Sequence, residues 1–180
     1  SSDLLPFAFL AGLYSTNTST VPAELFFGRD QEYETVLDRD GTNLVYGGRQ
    51  LGKSALLREV ARRNHDPARG MIVLWIDLKN RGIGTTQPAK DLWTLIGQEL
   101  HRAEVLRSHM SNQDTIINHV RGWLDGDPGR RILLLLDEAD AFLEQDGRPV
   151  DSSKNAFPVL SSLKGLMFDT DRRFKVVFAG

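Results

Sequence analysis

Four runs of consecutive apolar residues lie along the chain, and each predicts a β-strand. The runs occupy residues 44–46, 71–78, 131–137 and 174–178. They are apolar at nearly every position rather than at every second one, which is the pattern of strands buried on both faces. Such strands are typical of parallel sheets that are covered by helices on both sides.

Apolar residues recur at helical spacing between these runs and predict four helices. Pro158 is compatible with the last of them because proline is tolerated in the first turn. A further helix is predicted before the first strand, starting at Asp30, whose carboxylate caps it, and ending at Leu37. The four apolar stripes consist of Leu56, Leu57, Val60 and Ala61; of Leu92, Leu95, Ile96, Leu100 and Ala103; of Ile116, Ile117, Val120 and Leu124; and of Phe157, Leu160, Leu163 and Met167.

The alternation of strand and helix predicts the α/β class. We expect a three-layer sandwich, in which a mostly parallel sheet lies between two layers of helices and the crossovers are right-handed. A polar tract at residues 15–20 (STNTST) divides the chain. Residues 1–20 are predicted to be a lead-in segment and a linker to an upstream domain, and residues 21–180 to be the α/β core.

The apolar stretch at residues 4–14 is too short to cross a bilayer, and Asp3 stands where a signal peptide has positive charge. We expect a buried or docking segment and no membrane partner. The chain has no cysteine, which excludes disulfides, thiolate metal sites and cysteine nucleophiles. A cytoplasmic location is therefore expected.

Composition indicates an ordinary folded domain. The 180 residues include 22 Lys+Arg and 24 Asp+Glu, for a formal net charge of −2, and 41% are hydrophobic, which excludes a disordered chain. The near-neutral charge argues against a dedicated nucleic-acid or membrane-surface module. Trp75, Trp93 and Trp123 fall in strand or helix patterns and are interpreted as core or interface anchors.

The segment Gly47-Gly48-Arg49-Gln50-Leu51-Gly52-Lys53-Ser54 matches the phosphate-loop pattern G-x-x-x-x-G-K-[ST] at every fixed position. It follows a predicted strand and opens a predicted helix, which is the context that the motif requires. Its glycines leave backbone N–H groups accessible to phosphate oxygens, and the helix N-terminus adds partial positive charge. The alternative is a chance match in a glycine turn, in which Lys53 is solvated and Ser54 only caps the helix.

The residues of this loop have expected roles in nucleotide binding. Lys53 is expected to reach the β- and γ-phosphates as a point charge, and the Ser54 hydroxyl to ligate Mg²⁺. Arg49 is placed to meet a partner or the γ-phosphate, although a solvated side chain is the alternative. The predicted nucleotide-binding set is Gly47, Gly48, Arg49, Gln50, Leu51, Gly52, Lys53, Ser54 and Ala55.

Two carboxylates, Asp137 and Glu138, end the third apolar run. Ligands of open α/β sheets bind at the carboxyl ends of the strands, so Asp137 is expected to hold Mg²⁺, directly or through water. Glu138 is expected to polarise the attacking water. The alternative is that both residues only cap the next helix. Asp140 is interpreted as a helix-start carboxylate rather than as a third ligand.

The two motifs together resemble those of P-loop ATPases of the additional-strand, catalytic-glutamate group, and within that group the AAA+ and STAND branches. A third motif, Phe26-Phe27-Gly28-Arg29-Asp30-Gln31-Glu32, is similar to the F-x-G-R-x-x-E box that precedes the phosphate loop in STAND and origin-recognition-type ATPases. The resemblance implies that Phe27, Gly28 and Arg29 lie beside the adenine. A pair of core aromatics at positions 26 and 27 is the alternative.

The resemblance also implies the strand order 5-1-4-3-2 of a P-loop NTPase core. The strand at residues 174–178 is then the sensor-1 strand, between the strands that lead to Gly47 and Asp137. The fifth strand, the sensor-2 region, the helical lid and an arginine finger are not recognisable in the sequence. We therefore expect a core that is truncated after the sensor-1 strand, in a fragment of a longer polypeptide.

The function expected from these features is binding of ATP with Mg²⁺ and its hydrolysis to ADP and phosphate, as a switch read by attached domains of the same chain. Turnover is expected to be slow without an arginine finger. ATP rather than GTP is implied by the resemblance, and self-assembly or a partner protein is compatible with it. Two alternatives stay open: a DNA-acting motor or initiator, which the net charge does not favour, and a non-hydrolysing nucleotide-binding scaffold.

Overall fold

The computed structural model describes residues 29–45, 52–149, 151 and 156–180. Six α-helices and four β-strands lie in these ranges, with two single-turn 3₁₀ helices at Pro67–Arg69 and Ala89–Asp91. In chain order they are α1 (Arg29–Leu37), β1 (Leu44–Val45), α2 (Lys53–Asn64), β2 (Met71–Asp77), α3 (Leu92–Arg102), α4 (Gln113–Asp125), β3 (Arg131–Asp137), α5 (Asp140–Asp146), α6 (Pro158–Asp169) and β4 (Phe174–Ala179).

The four strands form one parallel sheet in the order β1-β4-β3-β2. The last strand along the chain therefore lies between the first and the third. Val45 pairs with Ala179 at one side of β4, and Asp77 pairs with Asp137 between β2 and β3. This confirms the order predicted for these four strands, and it brings their carboxyl ends to one edge of the sheet.

The sheet separates two hydrophobic cores. On one face, alternate residues of β3 such as Leu134 and Leu136 pack with α3, α4, α5 and α6. On the other face, Leu133 and Leu135 pack with α1 and α2. Helices thus cover both faces, as a three-layer sandwich requires, and the predicted α/β class is confirmed. Within the ranges described, no helix combines the length and the apolar character that a membrane span needs.

Most predicted elements are found close to their predicted ends. The strand at residues 131–137 is reproduced at both ends, and α6 begins at Pro158 as expected. Helix α1 ends at Leu37 as predicted and begins at Arg29, one residue before the predicted start. The predicted lead-in and linker at residues 1–20 fall outside the described part of the chain.

Helix α1 is tied to the sheet by one buried and one half-buried cation that bind the carbonyl groups at its C-terminal end. Lys175 of β4 is fully buried, and its Nζ donates to the carbonyl oxygens of Val36, at 3.0 Å, and Thr35, at 3.3 Å. Arg131 of β3 donates to the carbonyl oxygen of Leu37 at 3.0 Å. A helix C-terminus carries partial negative charge, so these contacts are electrostatically favourable.

Candidate functional site

Helix α2 begins at Lys53, where the phosphate-loop motif predicts that a helix begins. Gly52 precedes α2 with φ 66°, a left-handed conformation that favours glycine. The hydrogen bonds of the helix start with Leu56 N–H donating to the carbonyl oxygen of Gly52 at 2.9 Å. The N–H groups of Ser54 and Ala55 precede that bond, so they have no acceptor within the helix itself. They belong to the positive end of the helix dipole, where anions are stabilised.

Asp137 is a buried carboxylate at the end of β3, with an exposed fraction of 3%. Its Oδ1 accepts the backbone N–H of Glu138 at 2.9 Å, and its Oδ2 accepts the indole N–H of Trp75 at 3.1 Å. Each oxygen keeps one lone pair, because a carboxylate accepts about four hydrogen bonds in total. Among the described residues no Lys, Arg or His forms an ion pair with Asp137.

Glu138 bends the chain away from the sheet immediately after Asp137. Its φ of 52° is in the left-handed region, which is costly for a residue with a Cβ. Its side chain is exposed to water, in contrast to the buried neighbours on either side. Strained backbone of this kind concentrates at functional sites, where the surrounding structure fixes it.

The end of β4 lies between the start of α2 and the acidic end of β3. The ammonium of Lys53 donates to the carbonyl oxygen of Gly180, directly after β4. From the other side, the N–H of Ala139 donates to the carbonyl oxygen of Ala179 at 2.8 Å. Asp140 also lies against Gly180, since a Cβ built there would be 2.5 Å from Asp140 Oδ1. The predicted phosphate-loop lysine and the residues that follow Asp137 thus contact the end of the same strand.

The structure does not place Asp137 or Glu138 as helix caps. Helix α5 begins at Asp140, the residue before it is Ala139, and no side-chain cap bond is formed there. The hydrogen bonds of the Asp137 carboxylate go to Trp75 and to the adjacent N–H, not to the first turn of α5. Asp140 is exposed and is the first residue of the helix, as interpreted from the sequence.

Part of the predicted nucleotide-binding set lies outside the described residues. This applies to Gly47, Gly48, Arg49, Gln50 and Leu51, and to Phe27 and Gly28 on the predicted adenine side. Arg29, the third residue predicted for the adenine side, is the first residue of α1.

No protein-family model, curated protein or solved structure matches this chain.

The donor set at this edge fits Mg²⁺ together with a phosphate chain. Mg²⁺ in nucleotide sites is held by one or two protein oxygens, while phosphate oxygens and waters complete its octahedron. Asp137 and Ser54 are the oxygen donors available for this at the ends of β3 and α2. No group of three or more His, Cys, Asp or Glu residues that could hold a metal exists in the described ranges, and a site of this kind does not need one.

Trp75 is the site residue that sequence reasoning missed. It packs against the core beside α2, as interpreted from the sequence, but its N–H also donates to the Asp137 carboxylate. The signal that could have found it is its position two residues before Asp77, the last residue of β2. Residues two apart in a strand lie on the same face, so Trp75 lies on the same face of β2 as Asp77. Using that signal requires the register of β2 against β3, which neither the sequence nor the predicted strand order gives.

Proposed function

We propose that this chain is an ATP-binding module that hydrolyses ATP with Mg²⁺ and acts as a switch in a larger multidomain protein of the AAA+/STAND type. One observation carries the proposal: buried Asp137, without a cationic partner among the described residues, ends a strand at the same sheet edge as the N-terminus of α2. Only β4 separates β3 from β1, so the two strands are about 10 Å apart. A Lys side chain and a phosphate chain span that distance.

Each described site residue has a role in this proposal. The Lys53 ammonium and the N–H groups at the start of α2 bind phosphate oxygens. The Ser54 hydroxyl and the Asp137 carboxylate hold Mg²⁺, which neutralises negative charge on the phosphates when it is bound. Glu138, exposed beside them, accepts a proton from the water that attacks the γ-phosphate.

The proposed switch is supported by the contacts of Glu138 and Ala139, the two residues that join β3 to α5. The N–H of Ala139 bonds to β4, and α5 follows directly at Asp140. A change in the contacts of Asp137 or Glu138 would therefore move the start of α5 relative to β4. Attached domains would read this displacement, as in other switches that respond to a γ-phosphate.

Calorimetric titration of the full 180-residue chain with ATP, in the presence of Mg²⁺, tests the binding step. We expect the wild-type chain to bind and Lys53→Ala to lose measurable binding. Lys79→Ala is the matched control, because Lys79 is an exposed lysine in the loop after β2. Absence of ATP binding by the wild-type chain would overturn the proposal, and so would equal affinity in Lys53→Ala.

A further inference from the structure

Trp75 and Asp137 are diagonal neighbours on two adjacent strands. Trp75 of β2 is in register with Leu135 of β3, and Asp77 is in register with Asp137. Residues two apart in a strand share a face, so Trp75 and Asp137 project from the same side of the sheet. This is the face that α2 covers. The geometry allows the indole to extend along the sheet until its Nε1 lies 3.1 Å from Asp137 Oδ2.

The two donors on Asp137 fix its carboxylate without neutralising it. The indole N–H of Trp75 holds one oxygen, and the N–H of Glu138 holds the other. Both donors are uncharged, and indole has no acceptor of its own. An arginine or lysine in the place of Trp75 would also orient the carboxylate. Its positive charge would, however, neutralise Asp137, whose negative charge is needed to attract a metal ion.

A second contact connects Trp75 to the start of α2. The guanidinium of Arg58 lies over the Trp75 ring, with its Cζ 5.0 Å from the ring centroid. Cation–π contacts of this kind hold an aromatic ring in one orientation. The Nε of Arg58 also donates to the carbonyl oxygen of Ser54 at 3.3 Å. Trp75 therefore lies between the Asp137 carboxylate and an arginine of α2 that bonds to the main chain at the start of that helix.

We propose that Trp75 is a positioning residue for Mg²⁺ binding: its N–H fixes the Asp137 carboxylate, and Arg58 packs on the Trp75 ring. This inference rests on the proposed ATPase function, and it names a residue through which the metal site is organised. Residues that hydrogen-bond to metal ligands typically change metal affinity 10–100-fold when they are replaced. Trp75 acts through Asp137 and does not touch the metal or the nucleotide itself.

The three tryptophans of the chain offer a matched control for this role. Trp93 of α3 is buried, whereas Trp75 is partly buried, and the indole N–H of Trp93 donates to the hydroxyl of Ser162 at 2.9 Å. Trp75→Phe and Trp93→Phe each remove one indole N–H and keep an aromatic ring. They differ in whether that N–H orients Asp137.

The experiment measures ATP affinity of the full chain in excess EDTA, and the Mg²⁺ concentration that gives half-maximal ATP hydrolysis. We expect Trp75→Phe to raise that Mg²⁺ concentration by about 10-fold and to leave ATP affinity in EDTA within about twofold of wild type. Trp93→Phe is expected to leave both quantities unchanged. A general loss of folding would weaken ATP binding in EDTA as well, so a change confined to the Mg²⁺ requirement is specific to metal positioning.

A spectroscopic readout supplements the kinetics. In a Trp93→Phe, Trp123→Phe chain, Trp75 is the sole tryptophan, and we expect its fluorescence to change when Mg²⁺ is added to the ATP-bound protein. The additional substitution Asp137→Asn should abolish that change.

The outcomes separate this inference from the proposed function. If the wild-type chain binds and hydrolyses ATP with Mg²⁺ but Trp75→Phe has the same Mg²⁺ requirement as Trp93→Phe, the role of Trp75 is refuted and the ATPase proposal stands. If the wild-type chain binds no ATP in EDTA or in Mg²⁺, both proposals fail. A raised Mg²⁺ requirement in Trp75→Phe, with ATP affinity in EDTA retained, supports both the ATPase proposal and the role of Trp75.

Discussion

The Lys175 ammonium donates a hydrogen bond to the carbonyl oxygen of Val36 at 3.0 Å, and so joins the inner strand β4 to the C-terminal end of α1. Lys175 is completely buried, which disfavours its charged form, and the cations of Arg172 and Arg131 disfavour that form further. Burial and these two charges lower the pKa of Lys175 to about 7, although Asp38 and Asp40 act in the opposite direction.

This lowered pKa predicts a stability that rises with pH. Below about pH 7 the amine is protonated in both the folded and the unfolded state, so it adds no pH dependence. Between that value and the unfolded pKa of about 10.5, the unfolded chain binds a proton that the folded chain does not. The free energy of unfolding should therefore increase with pH, by up to about 1.4 kcal/mol per pH unit.

Urea unfolding of the wild-type chain and of Lys175→Met from pH 6 to pH 10 tests this dependence. The stability of wild type relative to Lys175→Met should grow above pH 7, because methionine does not titrate. Lys79→Met, which removes an exposed lysine, should follow the wild-type curve. Parallel curves for wild type and Lys175→Met would show that the buried amine does not titrate in this range.

Asp146 is expected to stabilise the start of α6. It is 3% exposed, and its two carboxylate oxygens accept the N–H groups of Val159 at 3.1 Å and Leu160 at 2.8 Å. Asp146→Ala should lower the free energy of unfolding by about 2–3 kcal/mol, because it leaves two buried donors without an acceptor.

Asp146→Asn should lose less stability than Asp146→Ala, since one oxygen acceptor remains. Asp125→Ala, at an exposed position in the last turn of α4, should stay within about 0.5 kcal/mol of wild type. Denaturant midpoints of the four proteins give the comparison. Equal midpoints for Asp146→Ala and Asp125→Ala would refute the capping role.

Two glycines are expected to respond in opposite directions to replacement by alanine. Gly84 has φ 89°, and a Cβ there would lie 2.5 Å from backbone atoms of Ala141 and Phe142. Gly165 lies in α6 with open space around the position of a Cβ. Gly84→Ala should destabilise the protein by about 2–3 kcal/mol, and Gly165→Ala should stabilise it by about 0.5–1 kcal/mol. Thermal unfolding of both variants measures the difference, and a shift of the same sign in both would contradict it.

Glu138→Gln is expected to separate nucleotide binding from hydrolysis. The amide retains the size of the side chain but does not accept the proton, so phosphate release should fall by about 10²–10⁴-fold while ATP affinity is retained. Glu144→Gln is the control, because Glu144 is an exposed residue of α5 that pairs with Arg148. A Glu138→Gln variant with wild-type phosphate release would remove Glu138 from the catalytic role. Absence of phosphate release in wild type, with ATP binding intact, would favour the scaffold alternative.

Local sequence pattern was sufficient for the elements whose signal is local. The run at residues 131–137 is apolar at each position except its two ends, and β3 has the same bounds. Helix α2 starts at Lys53 because Gly52 adopts a conformation that interrupts helical geometry, and the glycine is visible in the sequence. The position of β4 between β1 and β3 was implied only by resemblance to a family.

Contacts between distant residues could not be predicted in the same way. Lys175 is a charged residue in an apolar run, and its burial is explained only by the carbonyl groups of α1, about 140 positions earlier. The bond from Trp75 to Asp137 likewise depends on the register of two strands that are 62 positions apart at these residues. Neither relationship leaves a periodic trace in the chain.

The position of β4 has a consequence for how the chain is made. Within the described residues, β1 pairs with β4 alone, and β4 is also the strand that separates it from β3. During synthesis on the ribosome, β2 and β3 have the chance to pair as soon as both have emerged. The segment that contains β1 gains the pairing described here only after β4 has emerged. A nascent chain that pauses before Ala179 therefore leaves that segment available to chaperones.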